Sequence, residues 1–290
     1  MTAMETAQVL RDVAYARVGD KTLLLDLYLP DRAGPLSGRG SVPALVWIHG
    51  GAFRAGSKEN PPAAHMVSQG YAVASINYRL SQEAIFPAQI HDCKAAVRWL
   101  RANAGRYALD PERIGAWGAS AGGHLAALLG TTGDIKELEG EGGNLEYPSR
   151  VQAVCDFFGP TDFLSMNDVP GTMDHDAADS PESQLIGGPI RENVAKVARA
   201  NPITYVAATA AVGPDVPPFL IVHGDRDLTV LIVQSELLYQ ALKRAGADVT
   251  FHVVRGAGHG FADAKPEQQA EIDRMVDAFF ERCLGKKPGF

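Results

Sequence analysis

Short, mostly apolar runs recur along the chain, and the segments between them repeat their apolar residues with a helical period. Two early segments, Val9–Val18 and Thr22–Leu29, predict edge or hairpin strands. Six later runs predict strands buried on both faces, as a parallel sheet between helices requires. The sequence therefore predicts an α/β fold with about eight strands in a mostly parallel sheet and helices on both faces. The six runs are Ala44–Ile48, Ala72–Asn77, Arg113–Trp117, Val151–Phe157, Phe219–Val222 and Val249–Val254.

Three segments have the spacing of amphipathic helices. Ile90–Asn103 and Val233–Arg244 each place their large apolar residues on one stripe. The third runs from about Pro266 to Leu284, with proline in the first turn and Gly285 at the end. Because strands and helices alternate along the whole chain, we predict one α/β domain over residues 1–290.

One stretch, from Thr161 to Pro202, interrupts this alternation. It is rich in Asp, Ser, Pro and Gly and contains no clear strand pattern. Long connections without regular structure in a compact domain often cover a binding site, so we predict a lid or cap insertion at about 161–202. Phe163, Leu164 and Met166 within it are candidates for lining a binding pocket, or they dock the insertion onto the body.

Charge and composition narrow the classes of partner. The net charge is −7 and no run of Lys and Arg forms a basic patch, so no nucleic-acid partner is expected. The first thirty residues mix charged and apolar positions, and no run approaches the roughly 18 apolar residues of a membrane span. The three cysteines lack the CxxC spacing of metal sites. We predict a soluble cytoplasmic protein with no metal and no membrane partner. Whether it forms a homo-oligomer stays open.

The segment from Gly118 to Gly122 reads G-A-S-A-G and lies between the predicted strand Arg113–Trp117 and a helical run. Strand, tight turn and helix is the context in which G-x-S-x-G exposes a nucleophilic serine. Small neighbours are needed because the serine backbone is strained and lies close to the adjacent elements. We predict Ser120 as the nucleophile. The alternative is that the two glycines only permit close packing around an inert serine.

A second glycine-rich turn, His49–Phe53, follows the predicted strand Ala44–Ile48. Backbone N–H groups at such a bend can point into the cleft of the nucleophile and form an oxyanion hole. The predicted donors are the N–H groups of Gly51, Ala52 and Ala121. Because Ala52 carries a methyl group, we expect it to have an ordinary backbone conformation. A plain glycine turn is the alternative.

The acid and the base are predicted from two strand ends. Asp225 and Asp227 follow the run Phe219–Val222, and His259 lies in a glycine-rich loop beyond the last predicted strand. The order serine, acid, histidine is typical of a nucleophilic triad on an α/β sheet. Asp227 is preferred over Asp225 because it lies further into the loop and can turn towards the histidine. His259 would then act as general base for Ser120 in acyl transfer.

At these residues the chain resembles the esterase and lipase branch of the α/β-hydrolases, which includes hormone-sensitive-lipase-like enzymes. It is most similar to the bacterial family described as bifunctional feruloyl and acetyl-xylan esterases. The resemblance covers about Thr22 to Leu284, and beyond the motifs above it includes Ile48–Gly51, Asn77–Leu80, Phe86–Asp92, Phe158–Asp162 and Asn201–Ile203.

This resemblance implies hydrolysis of short-chain acyl esters, including acetylated or feruloylated carbohydrates, without a cofactor. Phe53 and Tyr78 are then predicted to contact the substrate. The family loop usually reads His-Gly-Gly-Gly-Trp, so Ala52 and Phe53 depart from the pattern. Two alternatives stay open: an arylformamidase or other small-amide hydrolase on the same fold, and a catalytically silent binding protein.

Overall fold

The sheet has eight strands in the order β1-β2-β4-β3-β5-β6-β7-β8 in the computed structural model. The structure describes residues 8–31, 40–133, 135–168, 171, 173–212 and 216–285. Strand β1 pairs antiparallel with β2, and β2 with β4, whereas every later pairing is parallel. The strands are β1 Gln8–Val18, β2 Lys21–Leu29, β3 Val42–Ile48, β4 Ala72–Ile76, β5 Leu109–Ala119, β6 Ala153–Phe157, β7 Phe219–Gly224 and β8 Val249–Val254.

Helices connect the strands and cover both faces of the sheet. The longest, α8, has proline in its first turn as the sequence predicts. The helices are α1 Ala88–Ala102, α2 Ala104–Tyr107, α3 Ala121–Thr131, α4 Pro181–Ile186, α5 Val194–Ala200, α6 Ile203–Val212, α7 Val233–Arg244 and α8 Pro266–Leu284. Of the helices in the described part of the chain, none has the length and hydropathy to cross a membrane.

Two apolar cores lie on opposite faces of the sheet, because successive strand side chains point to opposite sides. In β3, Val46 packs in the core that contains the buried residues of α1, α3 and α7, whereas Leu45 and Trp47 pack in the other. That second core contains the buried side chains of α8 and of a 3₁₀ helix, Pro62–Gln69. The predicted α/β architecture, a mostly parallel sheet of eight strands with helices on both faces, is confirmed.

The stretch 161–202 folds into short helices where the structure describes it. It contains a 3₁₀ turn at Phe163–Ser165, then α4, a second 3₁₀ turn and α5. Its start is tied to the body because the Gln234 side-chain oxygen of α7 accepts the N–H groups of Thr161 and Asp162, both at 2.8 Å. That the stretch acts as a lid stays a prediction.

Candidate active site

Ser120 lies between the end of β5 and the first turn of α3, with φ 57° and ψ −122°. Its N–H donates to the Phe157 carbonyl at the end of β6 (2.8 Å), which holds this strained backbone in place. A Cβ at Gly118 would lie 2.1 Å from the Gly122 oxygen, and one at Gly122 would lie 2.0 Å from the Ile48 oxygen. The small residues of the pentapeptide are therefore required because strand and helix approach too closely for side chains.

Three loops bring the predicted nucleophile, base and acid into one hydrogen-bonded row. The Nε2 of His259 lies 3.0 Å from the Ser120 Oγ, and its Nδ1 lies 2.7 Å from the Asp227 Oδ2. Because an ionised carboxylate only accepts hydrogen bonds, Nδ1 carries the proton and Nε2 presents its lone pair to the serine hydroxyl. Imidazole in this tautomer can remove the proton from Ser120.

The Asp227 carboxylate is buried and accepts hydrogen bonds on both oxygens. Oδ1 accepts the backbone N–H groups of Thr229 and Val230, each at 2.9 Å. Oδ2 accepts from His259, and His223 Nε2 lies 3.2 Å from the same atom. Burial opposes the charge, but the hydrogen bonds from the two imidazoles outweigh it, so the pKa of Asp227 is held well below its usual range.

Asp225, the other acid of this turn, faces away from the row. Its Oδ1 accepts the Gly256 N–H at 2.6 Å, and its Oδ2 pairs with Arg255. The backbone hydrogen bond of Gly256 and the charge of Arg255 lower the pKa of Asp225. This carboxylate therefore ties the loop after β8 to the end of β7, as a turn-capping residue does.

The turn after β3 lies directly against the serine. A Cβ at Gly50 would lie 2.8 Å from the Ala119 oxygen and 3.3 Å from the Ser120 Cβ. Within the described part of the chain, the N–H groups of Gly51, Ala52 and Ala121 donate to no protein acceptor. They are free for an oxyanion, although that role stays a prediction.

The expectation of an ordinary backbone at Ala52 is wrong. Ala52 has φ 55° and the next residue, Phe53, has φ 58°, so two consecutive side-chain-bearing residues adopt the left-handed region. The turn is closed by the Arg54 and Ala55 N–H groups, both bonded to the Gly51 carbonyl at 3.0 Å. Tight closure of the turn outweighs the preference of Ala52 for negative φ.

The predicted substrate-contacting side chains lie at different depths. Phe53 and Phe163 are 1% and 0% exposed and pack with the buried ring of His124, and the Tyr78 hydroxyl donates to the His49 carbonyl at 3.0 Å. These three side chains contact the turn after β3 and the start of the insertion, and their contact with a substrate stays a prediction. Leu164 is half-buried, and its contact with a substrate stays a prediction.

Two residues of this region were not predicted. His223 lies behind Asp227, and the only sequence signal for it is its position four residues before the acid. Phe158, next to the end of β6, packs edge-on against His259, with ring centroids 4.9 Å apart. Its φ of 43° turns the chain so that the ring lies beneath the imidazole. Nothing in sequence spacing identifies that packing, because it depends on the order of the strands.

The described residues contain no group of three His, Cys, Asp or Glu side chains arranged to hold a metal ion. What they do arrange is a serine at a strained strand–helix turn after β5, an acid beyond β7 and a histidine beyond β8. With the sheet order above, this site and fold define the chain as an α/β-hydrolase. The family model described as BD-FAE matches residues 25–242, and the chain belongs to this family.

Solved structures and curated relatives agree with this assignment. A structure described as a truncated form of a carbohydrate esterase from gut microbiota is 35% identical, with a TM-score of 0.81, covering 95% of this chain and 97% of that one. A bifunctional GH43-CE from Bacteroides eggerthii is 36% identical, with a TM-score of 0.80, covering 94% of this chain and 38% of that one. Esterase LipQ from Mycobacterium tuberculosis is 30% identical over 96% of this chain.

The chain spans only 53% to 63% of the length of the mycobacterial relatives that it matches over most of its residues. The structural neighbour from gut microbiota, by contrast, is matched over 97% of its length. The matched region therefore makes up nearly all of that truncated chain and only part of the longer mycobacterial proteins.

Proposed function

We propose that this chain is a serine carboxylesterase that hydrolyses short-chain acyl esters through an acyl-enzyme. The observation that carries the proposal is the row Ser120–His259–Asp227, with 3.0 Å and 2.7 Å between its polar atoms. A serine is a weak nucleophile unless a base takes its proton, and this imidazole is within reach and in the required tautomer.

The reaction proceeds in two halves. His259 takes the Ser120 proton as Oγ attacks the ester carbonyl, and Asp227 stabilises the imidazolium that forms. The negative oxygen of the tetrahedral intermediate accepts hydrogen bonds from the free N–H groups of Gly51, Ala52 and Ala121. His259 then protonates the leaving alcohol. Water, activated by the same imidazole, attacks the acyl-enzyme and releases the acid, so no cofactor is needed.

Carbohydrate esters are the proposed substrate class, with acetyl or feruloyl groups as the acyl part. The support comes from the BD-FAE family and from two structural neighbours at 35% and 36% identity, whose descriptions name a carbohydrate esterase and a GH43-CE. The partner is therefore a small-molecule ester.

The proposal is tested with Ser120→Ala. Its kcat for p-nitrophenyl acetate should fall by roughly three or more orders of magnitude, because only oxyanion binding remains. Labelling by a fluorophosphonate should also disappear. Ser68→Ala is the matched control, since this exposed hydroxyl only donates to the His65 carbonyl. A loss smaller than about tenfold in kcat would contradict the nucleophile assignment.

Substrate class needs a second experiment. Wild type is compared on a chain-length series of p-nitrophenyl esters, on acetylated xylan fragments and on N-formylkynurenine. Acetate or butyrate esters and acetylated xylan should have the highest kcat/KM. Preferential turnover of N-formylkynurenine would instead identify a small-amide hydrolase.

A further inference from the structure

A second imidazole lies behind the acid. His223, the last residue but one of strand β7, has no exposed surface. Its Nε2 lies 2.8 Å from the Val230 carbonyl oxygen and 3.2 Å from the Asp227 Oδ2, and its Nδ1 lies 2.7 Å from the Ser235 Oγ. All polar atoms of this ring are thus in contact with named partners.

The partners determine which nitrogen carries a proton. A backbone carbonyl can only accept, so the His223 Nε2 must carry hydrogen and is shared between Val230 and the Asp227 carboxylate. The Ser235 hydroxyl can donate to Nδ1 when the ring is neutral and can accept from it when the ring is charged. In both states an N–H points at Asp227.

Asp227 Oδ2 therefore receives two imidazole N–H groups, one from His259 at 2.7 Å and one from His223 at 3.2 Å. A donor on a carboxylate oxygen withdraws negative charge from it and restricts its rotation. The His223 N–H thus moderates the attraction of Asp227 for the imidazolium of His259. It also fixes the direction in which Oδ2 points.

We propose that His223 is a positioning residue of the triad, which holds the Asp227 carboxylate and limits the charge that it presents to His259. The inference rests on the proposed esterase function and deepens it. A packing role alone would need only the volume of the ring, whereas this role needs an N–H at the place of Nε2.

The described titratable groups around this carboxylate come from three strands. His259 follows β8, and His223 is the last residue but one of β7. Asp156 on β6 is a buried carboxyl close enough to His223 that the imidazole lowers its pKa, against the larger effect of burial. Burial raises the pKa of Asp156 to about 6. Asp225 lies on the same turn but faces Arg255.

Two substitutions of His223 distinguish the contributions of its two ring nitrogens. In His223→Gln the amide group reaches the place of Nε2 and keeps a donor for Asp227, whereas in His223→Asn it reaches only the place of Nδ1. Ser235→Ala removes the bond to Nδ1 and leaves Nε2 unchanged, so it controls for loosened packing. Each variant is assayed on p-nitrophenyl acetate from pH 5 to 9, with active enzyme counted by fluorophosphonate labelling, and its thermal unfolding is measured.

His223→Asn should lower kcat about tenfold with little change in KM, the size expected for one hydrogen bond to a charged group. The midpoint of the acidic limb of the pH–rate profile should rise by roughly half a unit, because less shielding of Asp227 favours the imidazolium. His223→Gln should restore kcat and the wild-type midpoint. Ser235→Ala should lower the unfolding temperature without moving the midpoint.

The proposal is overturned if His223→Asn keeps the wild-type midpoint, or if Ser235→Ala moves the midpoint as far as His223→Asn does. If His223→Gln does not fold, the comparison of His223→Asn with Ser235→Ala still decides between these results. The most downfield N–H resonance in the proton NMR spectrum, from the Nδ1–H of His259, should shift in His223→Asn and needs no turnover. A failed esterase assignment would appear as an inactive wild type, whereas a failed role for His223 would leave the wild type active and this resonance unmoved.

Discussion

At the scale of single residues, the direction of each hydrogen bond decides what the row can do. Asp227 accepts four N–H groups, and this arrangement stabilises the ionised carboxylate over the protonated one. The ionised form in turn keeps the proton of His259 on Nδ1. The lone pair on the His259 Nε2, which faces Ser120, therefore depends on Asp227, although Asp227 does not contact Ser120.

Asp227→Asn tests this dependence. An amide can donate to Nδ1 and so favours the tautomer with its proton on Nε2, which cannot accept from Ser120. We expect kcat to fall by roughly 10³- to 10⁴-fold, as with other triads in which the acid becomes an amide. Asp225→Asn is the matched control and should lose less than about tenfold. A reversed ranking in steady-state kcat would make Asp225 the acid.

At the scale of elements, the site depends on how closely α3 approaches β3 and β5. Gly122 has no room for a side chain beside the Ile48 carbonyl, and Gly118 has none beside Gly122. Gly105, in α2, has nothing within 4 Å of the position of a Cβ. Gly118 and Gly122 are therefore required by close packing, whereas Gly105 is not.

Gly122→Ala should lower the free energy of unfolding by roughly 1–3 kcal/mol or more, because the added methyl forces α3 away from the sheet. It should also lower kcat, since Ser120 lies at the start of α3. Gly105→Ala is the control and should be neutral or stabilising by up to about 1 kcal/mol. Urea unfolding measures both, and equal effects would show that the close approach is relaxed in solution.

The insertion is joined to the acid loop by a buried histidine. The His175 Nδ1 lies 3.0 Å from the Glu182 carboxylate, and its Nε2 lies 3.1 Å from the Thr229 carbonyl. Burial lowers the pKa of His175, but the hydrogen bond and charge of Glu182, together with the Thr229 carbonyl, raise it further than burial lowers it. The charged imidazole is thus the form that the fold favours.

A group whose pKa is raised by folding stabilises the fold fully below its unfolded value, about 6.5 for histidine, and loses this contribution as pH rises through the folded value. The unfolding temperature of the wild type should therefore contain a component that falls as the pH rises above about 6.5. Glu182→Gln should remove or reverse that component, because burial then dominates. Identical pH dependence of thermal unfolding in both proteins would contradict the role of this pair.

Most helices and strands were predictable from the sequence, because burial determines the spacing of apolar residues and the length of the apolar runs. The limits of α7 and α8 are those predicted, and all eight strands lie where the apolar runs are. Ser120, His259 and Asp227 were predicted to lie together from their order in the chain and from their positions in loops after strands. The left-handed backbone of Ala52 and the contacts of His223 and Phe158 were not predictable, because they arise from tertiary approach and not from local preference.

At the scale of the whole molecule, buried charges join α1 to the segment that follows α3. Lys94 and Arg98 on α1 are 0% and 1% exposed, and both pair with Glu139 at 2.7 Å. Burial lowers the pKa of Arg98. Such cations are tolerated because the carboxylate and three carbonyl oxygens accept hydrogen bonds from them, although the Nη2 of Arg98 has no partner among the described residues.

Glu139→Ala should lower the free energy of unfolding by roughly 3–5 kcal/mol, because two buried cations lose their counter-charge. Asp248→Asn is the control: Asp248 pairs with Arg282, both about half exposed, and its loss should cost less than about 1 kcal/mol. Denaturant unfolding compares the two. A small effect of Glu139→Ala would mean that water replaces the carboxylate.

The order of the strands determines which parts of the chain can vary in sequence without moving the site residues. Strand β6 lies between β5, which ends at the serine, and β7, which ends at the acid, so two interstrand spacings of roughly 4.8 Å each separate them. Backbone pairing between the strands sets the distance from β5 to β7. His259 contacts both Ser120 and Asp227 across this distance. The segments that connect the strands can therefore vary in sequence while the distances between Ser120, His259 and Asp227 stay the same.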